Sequence, residues 1–346
     1  MKKLFFTLFV LIVLWAAYSY WLLDGGKAIE PIQADNCQVI NGTAGIYDMA
    51  VDTSSGLVYL SAFDRQGSLQ GDNRGNGFII PFDVNSDRSM RAAAIPGVND
   101  FRPAGISLLQ RESKPARLYV VNQRQTGQDT IEVFNIAGNG RLIYEKTLNS
   151  PVFQGAVDIQ VVGYDQFYLL TGPSLLSVKD RYLGMMGLAD YSALIYVDRK
   201  QELAVLAEQG VYSSVSATKD GRWLYLANAS KQQLERYQRD LLTGELRLQS
   251  VLPIQGVPEQ LWLNDADEKI MFPSSNPYSL LIHLLSDAKK LSPVTIESVA
   301  SIKAGWHSEL IQHSLGFDQS ATSIVVSWQN KLLLGSLTAR NLLLCE

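Results

Sequence analysis

Oxygen-bearing side chains recur at one place in a repeated pattern. Asp48, Asp158, Ser213 or Ser214, Glu259 or Gln260, and Thr322 or Ser323 each stand ten to twelve residues ahead of an apolar anchor, and Gly105 takes the equivalent place ahead of a longer turn. Carboxylates and neutral oxygens aimed at one axis are hard ligands, the set that calcium takes. Acids at strand ends are also common as solvated groups, and it is their recurrence in different repeats that points to a metal. Other chemistries lack their residues. Three His and two Cys are too few for a Cys/His zinc site or an iron–sulfur cluster. Gly172-Pro173-Ser174-Leu175-Leu176 lacks the second glycine of a nucleophile elbow. His283, His307 and His313 stand alone and read as surface or capping residues. With 30 Lys+Arg against 34 Asp+Glu and a formal charge of −4, the chain has no basic footprint for nucleic acid.

The elements that would position those oxygens are short strands. The 346 residues are 47% hydrophobic and 18% charged, a globular composition that can bury a sizeable core. Strand-like anchors recur around Tyr59, Tyr119, Tyr168, Tyr225, Met271 and Leu333, at steps of 46 to 62 residues, enough for four short strands and their loops. Each is preceded by an apolar run and a polar turn, such as Ser54-Ser55-Gly56 or Lys219-Asp220-Gly221, which is hairpin chemistry. A second β pair follows, as in TIEVFNI (130–136) or QLERYQR (233–239). These features predict an all-β fold, a six-bladed β-propeller over 37–346, in which the first strand of each blade lines a central channel. A β-sandwich does not explain six similar units.

Ahead of the propeller, Leu4–Leu23 carries no charge, and such a helix at 1.5 Å per residue spans a hydrocarbon core of about 30 Å. Two outcomes are open: an uncleaved signal-anchor over residues 1–23, or a signal peptide cut near Ala17-Tyr18-Ser19 that releases a secreted body. The apolar run continues through Tyr20, Trp21, Leu22 and Leu23, which favours the anchor. Lys2 and Lys3 inside and Asp24 outside put the body on the extracytoplasmic side, joined to the membrane through a linker at 24–36.

From Cys37 to Glu346 the chain resembles the serum paraoxonase/arylesterase family. The resemblance is carried by PAGIS (103–107), LYVVN (118–122), VDIQVVG followed by QFY (157–168), KDGRWLYLAN (219–228) and the ending LLGSLTARNLLLCE. It implies a six-bladed propeller with a structural and a catalytic calcium in the channel, hydrolysing aryl esters, lactones and some organophosphates. It also implies a terminal disulfide, Cys37–Cys345. The family's Gly-Ser-Glu-Asp-Leu reads here as Gly45-Ile46-Tyr47-Asp48-Met49, and Leu-Asn-Asp-Ile reads Ala156-Val157-Asp158-Ile159. The structural-calcium aspartates Asp48 and Asp158 therefore remain, with the carbonyl of Ile106, whereas the catalytic-calcium Glu and Asn have become Tyr47 and Val157. That second set continues as Ser213 for an Asn and Glu259-Gln260 for Asp-Asn, a channel lining that could still hold a weaker ion. Pro103-Ala104-Gly105 and Asn122-Gln123 lack the histidines proposed as the base.

Two functions remain open at this level: a calcium-dependent hydrolase of esters or lactones with weak or lost activity, or a non-catalytic propeller that binds a ligand or partner around one structural calcium. If the N-terminal segment is an anchor, N-terminal sequencing of the mature protein begins ahead of Leu4; a start near Ser19 or Tyr20 contradicts it.

Overall fold

A computed structural model describes residues 2–346 apart from 24, 26–36, 72–74, 87, 90–99, 112–113, 173–177, 186–187, 189–190, 199–201, 265–268, 287 and 303–304. The linker expected over 24–36 lies, Gly25 apart, outside the described residues. Six antiparallel sheets follow one another along the chain. Their innermost strands are Ile46–Asp52, Pro103–Arg111, Ala156–Gly163, Tyr212–Ala217, the broken pair Val257–Pro258 and Trp262–Asn264, and Thr322–Trp328.

All six sequence anchors are the second strands: Leu57–Ala62, Lys114–Asn122, Gln166–Thr171, Trp223–Asn228, Lys269–Ser275 and Lys331–Ser336. Leu57–Ala62 and Gln166–Thr171 are buried at all but their first residue, because each blade is covered on both faces by its neighbours. Both faces must therefore be apolar, which is why these segments read as continuous runs rather than alternating ones. Gly56 (φ 78°) and Gly221 (φ 69°) close two of the inner hairpins in the left-handed region that glycine favours.

The last blade is built from both ends of the chain. Cys37–Asn41 pairs with Asn341–Cys345 in register, Cys37 opposite Cys345, and a disulfide joins them. This closes the ring on its outer edge.

Among the described residues four α-helices accompany the blades. α1 (Lys2–Leu22) is long and apolar enough to cross a membrane. α2 (Arg65–Leu69), α3 (Val178–Met185) and α4 (Pro277–Leu285) follow the second strands of blades 1, 3 and 5. They lie on the side where the innermost strands begin.

The Cys37–Cys345 bridge spans a sequence separation of 308, so its loss as Cys37→Ser destabilises the fold by about 5 kcal/mol in the chain-entropy model, checked by denaturant unfolding of the oxidised protein and the variant.

Candidate channel site

Every innermost strand is irregular at the same level. The pairing with the second strand slips between Ile46 and Asp48, Pro103 and Ile106, Ala156 and Asp158, Tyr212 and Ser214, and Thr322 and Ile324. Blade 5 breaks instead across Glu259, Gln260 and Leu261. A bulge turns consecutive side chains away from the pleat, so that polar groups here reach the adjacent blade.

A closed belt of hydrogen bonds results. The Ile106 N–H donates to Asp48 Oδ2 (2.7 Å), and the Val161 N–H to Ser107 Oγ (3.0 Å). The Val215 N–H and Ser214 hydroxyl both donate to Asp158 Oδ2 (2.8 Å each). The Leu261 N–H donates to Ser214 Oγ (3.0 Å), the Gln260 N–H to the Ser323 carbonyl (2.9 Å), and the Ser323 hydroxyl to the Ile46 carbonyl. Gly105 is required where blades 2 and 3 meet, since a Cβ there would lie 2.3 Å from Asp158 Oδ1 and 2.5 Å from its Cα.

Asp48 and Asp158 are both buried, and each also accepts the N–H of the next residue, Met49 at 2.7 Å and Ile159 at 2.8 Å. Burial, then the charge of Asp158, holds the Asp48 carboxyl well above the usual carboxylate range. Burial outweighs its hydrogen bonds and pushes Asp158 up to about 7. Two buried acids in electrostatic contact require a proton or a cation between them. The pair fits a hard dication in charge and in donor type. Among the described residues no third His, Cys, Asp or Glu joins them, so carbonyls, hydroxyls or water would complete a shell of six or more oxygens. Ile106 offers its N–H to Asp48. A cavity of about 470 Å³ runs from Asp48, Ile106 and Asp158 past Gln110 and Ser216 to Lys219 and Asn264, on the side of the inner hairpin turns.

The other side of the belt is different in character. Tyr47 is buried beneath the guanidinium of Arg65, which lies 4.7 Å from its ring centre. Arg65 is itself buried, donates to the carbonyls of Gly45 (3.0 Å) and Pro103, and is lowered by burial to about 10. Val157 packs among apolar residues of blades 3 and 4. The Ser213 hydroxyl faces the carbonyls of Ala227 (3.3 Å) and Glu259 (3.2 Å), and Gln260 Nε2 donates to the Ser213 carbonyl (3.1 Å). Glu259 and Gln260 are both buried. One apolar cluster runs from Tyr47 through Ala104, Ala156, Val211 and Val257 to Leu337, touching all six blades. Gln123 donates to the Ala156 carbonyl (2.8 Å) and so ties blade 2 to blade 3.

Three features escaped the sequence reading. Arg65 opens the short helix α2, in a segment that gave no signal. His283 is buried rather than superficial, its Nε2 2.9 Å from Thr338 Oγ1, because α4 packs onto the ring. Glu132 and Glu235 are buried acids held by Asn122 (3.1 Å) and Asn228 (2.9 Å). The signal for these was present: the anchors LYVVN and LYLAN both end in Asn, and each following strand carries a Glu.

A family profile described as Arylesterase matches residues 28–346. Human serum paraoxonase/lactonase 3 is 23% identical over 337 residues, covering 94% of this chain and 92% of its own. The mouse protein of the same name is 25% identical over 211 residues, 59% of this chain and 58% of its own. Among solved structures, a luciferin-regenerating enzyme superposes with a TM-score of 0.57 at 9% identity, over 89% of this chain and 95% of its own. A calcium-binding regucalcin from Agrobacterium tumefaciens superposes with a TM-score of 0.54 at 12% identity, over 89% and 92%. At these identities the superpositions speak for the fold.

The acid pair sets a pH dependence. With divalent ions chelated, the native state keeps protons that the unfolded chain releases near pH 4, so the pair's contribution to stability is greatest below about pH 4 and is lost as pH rises toward about 7. Thermal melts across that range check this. Asp158→Asn flattens the slope, whatever it does to absolute stability.

Proposed function

Since the chain belongs to the arylesterase family, we propose that it is a membrane-tethered propeller of hydrolase lineage which holds one calcium at Asp48 and Asp158 and turns over aryl esters or lactones weakly or not at all. Family and fold support a hydrolase-like function. The observation that carries the finer reading is Tyr47 buried under Arg65. A metal-assisted hydrolysis needs a dication that polarises the carbonyl and a base that activates water. Where a carboxylate would anchor that dication stands a phenol already stacked against a fixed cation. A second dication beside a buried guanidinium is electrostatically opposed. Val157 offers no ligand atom in its side chain, and Ala104 and Gln123 are not bases.

The ion at Asp48 and Asp158 would supply charge compensation and join the blades whose carboxylates it contacts. It is a fold-stabilising role rather than a catalytic one. Glu259 is the one carboxylate left at the level of the lost set, and it has a neighbouring amide, Gln260, already committed to the backbone of blade 4.

The second reading is a binding propeller without turnover, favoured by the cavity that opens at the hairpin-turn mouth while the strand-start mouth is packed with apolar side chains. The purified protein is expected to carry one calcium per chain, with aryl-ester and lactone turnover lower than that of an active relative by about 10²–10⁴-fold for the missing base alone. Asp158→Ala removes the calcium and the stabilisation it confers. Robust hydrolysis that is sensitive to chelator and lost in Glu259→Ala contradicts this reading, because it makes Glu259 the anchor of a catalytic ion.

A further inference from the structure

The cavity at the hairpin-turn mouth has a floor, a wall and a rim of different chemistry. Asp48 and Asp158 form the floor. The wall is apolar: Val51, Leu109, Val162, Trp262 and Leu263 line it, and the first three are buried. Ser216 also lines it, only 6% exposed, and its hydroxyl makes no hydrogen bond to another described residue. Lys219 stands exposed at the rim, in the turn after the innermost strand of blade 4. Among the described residues that line the cavity it is the one Lys, Arg or His, and the two floor aspartates are the only acids.

At about 470 Å³ the cavity has the size of a small-molecule site, roughly 300–1,000 Å³. Asp48 and Thr53 both line it, and the strand between them rises about 16 Å at about 3.3 Å per residue, long enough to cover an extended organic body. A hard dication on the floor takes about six to eight oxygens. The belt has already engaged the hydroxyls nearest the acids: Ser214 donates to Asp158, and Ser107 Oγ accepts the Val161 N–H. The cavity is the space from which the rest of the shell is filled. Two aspartates balance the dication, so Lys219 leaves the lining with one net positive charge, and a monoanion complements it.

We propose that the hairpin-turn mouth binds an organic monocarboxylate with an apolar body, whose carboxylate completes the shell of the ion on Asp48 and Asp158. The inference rests on that ion being calcium held there, as proposed above. The apolar body lies against Val51, Leu109 and Val162, where it removes their surface from water, and the Ser216 hydroxyl gains a partner. An organic cation is the opposite case, since it competes with the ion for the same two acids. Because carboxylate and ion share one shell, each strengthens the binding of the other, and by the same factor. The site is distinct from the strand-start side, where Tyr47 and Arg65 are sealed within the apolar cluster.

The full chain in lipid nanodiscs, titrated with calcium against a fluorescent chelator in the presence and absence of 4-phenylbutyrate or 4-phenylbutylamine, tests this. Calcium affinity is expected to rise several-fold with 4-phenylbutyrate and to fall with the amine, and calorimetry is expected to show 4-phenylbutyrate binding tightened by calcium to the same extent. Lys219→Glu, a change at an exposed position, is expected to reduce that coupling several-fold. One calcium per chain whose affinity is indifferent to 4-phenylbutyrate overturns the carboxylate site and leaves the calcium reading intact. Coupling undiminished in Lys219→Glu overturns its placement at this mouth. A chain that binds no calcium and takes the amine instead overturns the calcium reading and the carboxylate site together.

Discussion

The ring stands on the belt where each innermost strand departs from its partner. A strand that pairs regularly spends its backbone groups within its own sheet. By slipping at Tyr47, Val157 and Ser213, and by breaking at Glu259–Leu261, the inner strands free polar groups for the next blade. Each gap between blades is then bridged by a buried hydrogen bond, where the alternative is an unsatisfied donor worth roughly 1–3 kcal/mol. Shape follows from the same constraint, since blades 2 and 3 approach so closely that only glycine fits at position 105.

The belt also separates two electrostatic problems. On the hairpin-turn side two carboxylates are buried with no positive side chain beside them among the described residues, although each of their oxygens accepts at least one hydrogen bond. Hydrogen bonds partly offset their burial but do not remove the repulsion between them. On the strand-start side a guanidinium is buried against carbonyls and a phenol ring rather than a carboxylate. A negative site therefore opens to the cavity and a positive one is sealed within the apolar cluster. That asymmetry separates the roles of the two sides of the channel: one can accept a cation, and the other already contains one.

Closure at the outer edge is independent of the belt. The N-terminal strand completes the last sheet, and the disulfide holds it there. Inner contacts fix how blades pack, and the outer bridge fixes that the first and last cannot part. α1 enters on neither of these, but on α3 and α4, so its attachment leaves the ring's own hydrogen bonds untouched.

The sequence by itself determined the blade count, the six anchor strands and the apolar N-terminal segment, because strand periodicity, turn residues and an uncharged run are local properties of the chain. It also marked Asp48 and Asp158, because repeats place equivalent residues at equivalent heights. Only the tertiary structure decided what those residues face. The bulges have no signature in single-strand text, being mismatches between two strands. Arg65 comes to lie over Tyr47 and against Pro103 because two blades converge there, which no spacing along the chain encodes. The mouth at which the cavity opens was likewise decided by packing: one end of the channel is filled by side chains from all six blades, and each of them looks in its own segment like an ordinary core residue.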